Sequence, residues 1–127
     1  MNRQEETLKD SILAIAQRWN VLTPLMLQMG IIEELLNRKL TLAEKDGPCF
    51  TIAITEEGMA VEDGKNPFAH AHLTTTREQW KKIFDGSKTY ATIFRFELEP
   101  LRDVVYINEA PLIERFCTVM QAIVLLN

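Results

Sequence analysis

A chain of 127 residues, 46% apolar and 25% charged, has the composition of one globular domain with its own core. Its formal net charge of −4 argues against a nucleic-acid partner, which needs a basic face to neutralise phosphates. No apolar run reaches the length of a membrane span, the opening MNRQEETLKD does not read as a secretory signal, and Cys49 and Cys117 lack metal-ligand or redox spacing, which predicts a cytoplasmic protein with reduced, buried thiols.

The first element is a helix, with Leu8, Ile12, Ile15, Ala16 and Trp19 along one face and charge on the other. Asn20 to Thr23 reads as an interruption. Thr23 followed by Pro24 then suits the N-cap and first turn of a second helix, because proline's missing N–H is an orphan donor there anyway. Residues 1–38 are therefore predicted to form a helical pair. The second helix, PLMLQMGIIEELLNRK, is apolar over more than half its circumference, so it lies between layers or covers something greasy. The flexible thioethers of Met26 and Met29 suit an adaptable surface as well as a core.

From Lys39 the period changes from helix to strand. KLTLAEK, PCFTIAIT and GMAVEDG read as three short strands, separated by KDGP and EEG, which have the composition of hairpin turns. Connections this short require antiparallel neighbours. In the second strand Phe50, Ile52 and Ile54 point one way and Thr51, Ala53 and Thr55 the other. NPF breaks the chain before a fourth strand, AHAHLT. There Ala69, Ala71 and Leu73 share one face, and His70, His72 and Thr74 share the opposite, solvent-facing one. Two imidazoles at this spacing can meet one metal ion, but zinc wants at least three protein ligands and no third histidine exists, so no metal site is expected. Catalysis by either histidine with Cys49 or a carboxylate lacks any nucleophile motif, and the chain is not read as an enzyme.

Thr75 with Glu78, or Thr76 with Gln79, has the spacing of a capping box, and the helix REQWKKIF follows, burying Trp80, Ile83 and Phe84. Asp85-Gly86 closes it. KTYATIFRFELEP satisfies both periods, a short helix being favoured over a strand, and DVVYIN is a strand. A last helix starts at Ala110-Pro111, with Leu112, Ile113, Phe116, Val119, Met120, Ile123 and Val124 as a wide apolar stripe. Its greasy end, VLLN, is expected to dock into the body or against a partner. The order of elements predicts an α+β domain with a five-stranded, mainly antiparallel sheet covered on one face by helices.

From about Lys39 to Leu125 the sequence resembles the sterol carrier protein type-two, or sterol-binding, domain. KLTLAEKDGPCFTIAITEEGMAVEDG is similar to that family's opening meander, and AHAHLTTTREQWKKIFDG to its strand, hydroxyl cap and aromatic helix closed by glycine. DVVYINEAPLIERFCTVMQAI resembles its final strand and helix. Where the family carries glycines around the last strand, this chain has Leu101-Arg102-Asp103 and Asn108-Glu109.

The resemblance implies a single domain, 1–127, whose residues 39–127 form a sterol-carrier-like module behind the N-terminal helices. It also implies a non-catalytic carrier, with an apolar tunnel between helices and sheet for a fatty acid, acyl-CoA or sterol-like lipid. No cofactor is expected. Transient membrane contact and a homodimer are compatible with it. The residues themselves allow that tunnel. Trp80, Ile83 and Phe84, then Ile93, Phe94 and Phe96, then Phe116, Met120 and Ile123 lie on the buried faces of three successive elements, with no catalytic polar group among them. They are the expected lining, although the same side chains could fill a solid core. The alternative role is an interaction or accessory module for a lipid- or quinone-processing enzyme, without carriage.

Overall fold

The computed structural model describes residues 8–87 and 104–126. Its first element, α1 (Leu8–Gln28), runs straight through the expected interruption at Asn20 to Thr23, so the N-terminal helical pair is replaced by one long helix with Pro24 inside it. The reason is periodic. Leu8, Ile12, Ile15, Ala16, Trp19, Thr23 and Met26 are all buried, and the three- and four-residue steps never miss a turn. Pro24 cannot donate to the helix ladder, yet it stands on the exposed side, and Thr23 Oγ1 donates back to Trp19 O at 2.8 Å. The helix stops before Gly30, which lies in the following turn rather than inside a helix. Only a 3₁₀ turn, Glu33–Leu35, precedes the sheet.

The strands are β1 (Arg38–Glu44), β2 (Cys49–Thr55), β3 (Gly58–Asp63), β4 (Ala71–Thr75) and β5 (Val104–Asn108), in the order β3-β2-β1-β4-β5. The meander β1-β2-β3 is antiparallel, as its short turns demand, and β4-β5 is antiparallel too. β1 and β4 pair in parallel, with Leu40 opposite Ala71 and Leu42 opposite Leu73, so the sheet is mixed. The residues between β3 and β4 must therefore cross β2 and β1. β3 ends near the level of Leu42 and β4 starts at the level of Leu40. The link travels sideways by three strand spacings, about 14 Å, which a few extended residues can span.

The face bearing Leu40, Leu42, Phe50, Ile52, Ile54, Met59, Ala71 and Leu73 is buried in one continuous apolar cluster with α1, α2 (Arg77–Asp85) and α3 (Ala110–Leu125). Asn20, on α1, accepts a hydrogen bond from Met59 N through Oδ1 at 2.6 Å and so fastens the helix to β3. α2 starts at Thr76, whose hydroxyl accepts from Gln79 N at 3.2 Å, and ends at Gly86 in the left-handed conformation (φ 74°). α3 follows Glu109, which holds φ 56°, the left-handed conformation that glycine adopts most readily. The greasy end of α3 docks into the body only in part. Val124 packs against the core, but Leu125 and Leu126 stand exposed.

Candidate functional site

Trp80 and Phe84 sit one turn apart on α2 and stack, ring centroids 5.6 Å apart. The indole is held at its other end, with Nε1 donating to Ala43 O on β1 at 2.8 Å. Ile83 is fully buried on the same helix. From α3, Phe116, Met120 and Ile123 enter the same cluster, and Phe116 meets Trp19 of α1 at 5.8 Å. The structure thus brings together six of the nine expected lining residues: Trp80, Ile83, Phe84, Phe116, Met120 and Ile123. The other three, Ile93, Phe94 and Phe96, lie outside the described residues, as does the expected short helix carrying them.

Sequence reading missed two features of this arrangement. Gln121 is buried on α3 and its Nε2 donates to Ile83 O at 3.1 Å, which occupies one of the carbonyls that the end of α2 leaves without a helical partner. Trp19 is fully buried, as its face of the helix predicts, but its Nε1 is left without a hydrogen-bond partner among the described residues. Nothing in the local sequence marks Gln121 as buried, since glutamine at a stripe edge is usually solvated.

Beside the cluster, α1 and α2 enclose a cleft of about 250 Å³. Its floor is apolar, made by Ala14 and Ile15 of α1, Phe84 of α2 and Val124 of α3. Its rim carries Ser11 and Arg18 on one side, Lys81 and Asp85 on the other. A second hollow of about 400 Å³ continues along α1 toward the end of α3, between Gln17, Arg18, Val21 and Leu22 on one wall and Ile123 and Leu126 on the other. Arg18 stands where the two meet.

The histidines part company. His70 is exposed, precedes β4, and its Nδ1 accepts from Lys39 N at 3.1 Å. His72 is 8% exposed, against the expectation of a solvent-facing surface, and neither ring nitrogen has a hydrogen-bond partner among the described residues. Its ring meets Tyr106 edge-on at 5.9 Å. Strand alternation correctly placed His72 opposite Leu73. Its register neighbour Thr41 on that face, however, is itself tied to the β3–β4 link through Asn66 N, so the face is not open to solvent there. No cluster of three metal-type ligands occurs among the described residues. Cys49 and Cys117 are both free; burial pushes each thiol up, with the Glu114 carboxylate adding to it at Cys117, so both stay protonated near neutrality.

No helix among the described residues is long and apolar enough to cross a membrane. The sequence matches no family profile and no curated protein. Solved structures do match. A UbiJ-SCP2 ubiquinone synthesis protein is similar over 94% of this chain and 96% of its own, with a TM-score of 0.63 at 14% identity. The apo form of sterol carrier protein 2 from Yarrowia lipolytica covers 94% of both chains, with a TM-score of 0.61 at 12% identity. A conserved hypothetical protein of Thermus thermophilus, described in relation to sterol carrier proteins, matches over 96% of this chain and 91% of its own, with a TM-score of 0.52 at 13% identity. Identity this low speaks for architecture alone, and on that ground the chain has the fold of the sterol carrier protein 2 domain.

Proposed function

We propose that this protein is a non-catalytic, cytoplasmic lipid-binding module that holds a fatty-acyl, sterol or similar apolar ligand between its helices and its sheet. The observation that supports this best is the apolar cluster of Trp80, Phe84, Phe116, Met120 and Ile123 under α2 and α3, opening beside Phe84 and Val124 into a cleft with an apolar floor. The fold agrees, since one of the matching structures is a sterol carrier protein. Ile93, Phe94 and Phe96 complete the lining in this reading. A long chain gains about 0.8 kcal/mol per buried methylene, so roughly ten methylenes suffice for micromolar affinity. The exposed side chains of Val21, Leu25, Leu125 and Leu126 are where transient contact with a membrane would load it.

The test is direct. Gently purified protein is examined by native mass spectrometry, and then titrated with fatty acids, acyl-CoA and sterols while Trp80 fluorescence is followed in a Trp19→Phe background. That substitution also removes an orphaned N–H, which offsets part of the lost ring volume. Saturable binding of at least one class is expected, and Val124→Trp, which fills the cleft floor, should weaken it at least fivefold. No binding by any class would overturn the proposal.

One finding favours a second reading. A matching structure is described as a ubiquinone synthesis protein, so an accessory module of a quinone-processing assembly, without carriage, is the alternative. Protein that purifies empty, ignores every lipid class and binds a quinone-synthesis enzyme would establish it instead.

A further inference from the structure

Arg18 and Lys81 face one another across the mouth of the α1–α2 cleft, and neither makes an ion pair or hydrogen bond among the described residues. The same rim carries one carboxylate, Asp85, whose Oδ1 accepts from Ser87 N at 2.7 Å. Two cations and one carboxylate thus frame an apolar floor, a local excess of one positive charge in a chain whose overall charge is −4. That excess of positive charge on the rim favours an anion beside Arg18 and Lys81. From Arg18 the second hollow leads away between Val21 and Leu22 on one side and Ile123 and Leu126 on the other, with no charged side chain other than Arg18 among the described residues that line it. From Ser11 to Leu22, α1 rises about 16 Å, so the two spaces together form a trough of that order along one helix.

We infer that Arg18 and Lys81 form an anion anchor for a single-chain amphiphile, with its carboxylate or phosphate head between the two cations and its alkyl chain along α1. This rests on the reading that the protein binds a lipid. It sets the chain in the trough between α1 and the helices α2 and α3, beside the apolar cluster, and adds the head chemistry and the residues that select it. A sterol, whose head is a neutral hydroxyl, gains nothing from the pair. An acyl chain with a free anionic head does. Arg18 supplies the planar fork that grips either anion in two places, and Lys81 a mobile point charge.

The experiment compares three ligands that share one alkyl chain, dodecanoate, dodecyl phosphate and dodecanol, by calorimetric titration of the wild type and of the Arg18→Gln/Lys81→Gln double variant. Both positions are exposed, so the fold is expected to survive; unchanged circular dichroism and melting temperature check this. In the wild type at least one anionic ligand should bind about fivefold or more tighter than dodecanol, and that preference should shrink as salt rises. The double variant should lose the preference and keep its dodecanol affinity. Whichever anion shows the larger preference identifies the head as carboxylate or phosphate. Equal binding of all three ligands to the wild type, or a preference that survives in the double variant, refutes the anchor while leaving the lipid-binding reading intact. Failure of all three to bind removes the anchor, and the lipid-binding reading falls with it only if the sterol and acyl-CoA titrations fail as well.

Discussion

The two faces of the sheet are both buried near its centre, by different means. On the helix side Leu40, Leu42, Ile52, Ile54 and Leu73 are fully covered, and helices that satisfy their own backbone need nothing from the sheet but apolar surface. On the other side Thr41 and Thr51 are almost as buried, yet both are polar. Their cover is the irregular link between β3 and β4, whose backbone has no ladder of its own. Thr51 Oγ1 donates to Gly64 O at 2.9 Å, Thr41 and Thr51 hydroxyls lie 2.9 Å apart, and Asn66 N donates to Thr41 Oγ1 at 3.5 Å. Each hydroxyl has one proton, so the direction follows: Asn66 N–H to Thr41, Thr41 to Thr51, Thr51 to Gly64. The lesson is that a covering loop recruits threonines where a covering helix recruits leucines.

The comparison breaks most visibly on the helix side. Leu42→Ala opens a cavity in the cluster and should cost about 3 kcal/mol, read from urea unfolding. A loss under about 1 kcal/mol would mean that the helices do not cover this face tightly.

A smaller effect is expected at Gly58. Its φ is +138°, and an added Cβ would collide with Asn20 Oδ1, the acceptor of Met59 N. Gly58→Ala should therefore cost about 2 kcal/mol, through backbone strain and a displaced clasp. If Asn20→Ala already abolishes most of that cost in a double-mutant cycle, the clasp is the dominant part.

On the link side, Thr51→Val keeps the shape and removes the middle of the hydroxyl chain, leaving Gly64 O without its donor. About 1–2 kcal/mol should be lost, with faster amide exchange from Gly64 to Asn66. Unchanged exchange there would show that the threonines fill space without tying down the link.

His72 gives the smallest effect and the opposite sign. It is buried on the link side, with both ring nitrogens unpartnered among the described residues, so His72→Leu removes desolvated polar atoms without breaking a bond. Stability at neutral pH should stay the same or rise by up to about 1 kcal/mol in the same urea assay. A loss above about 1 kcal/mol would assign the imidazole a packing role against Tyr106 that leucine cannot fill.

Much of this fold was legible from short stretches. The alternation of Phe50, Ile52 and Ile54, the hydroxyl cap before α2, Gly86 closing it and the stripe of α3 each depend on residues within a turn or two of one another. Backbone geometry and hydrogen-bonding chemistry act at that range, so sequence alone determined them, along with the apolar residues of α2 and α3 that enter the core. Tertiary structure decided the rest. Only the sum of buried contacts carries α1 through Pro24, because the local signal at Thr23-Pro24 is that of a helix start. Only the parallel pairing of β1 with β4 sends the link across Thr41 and Thr51 and leaves His72 buried rather than solvated. Arg18 and Lys81 are ordinary exposed cations on two separate helices until packing sets them across one cleft. Periodicity states which side of an element is buried, but the partner that buries it is chosen by contacts between residues far apart in the chain.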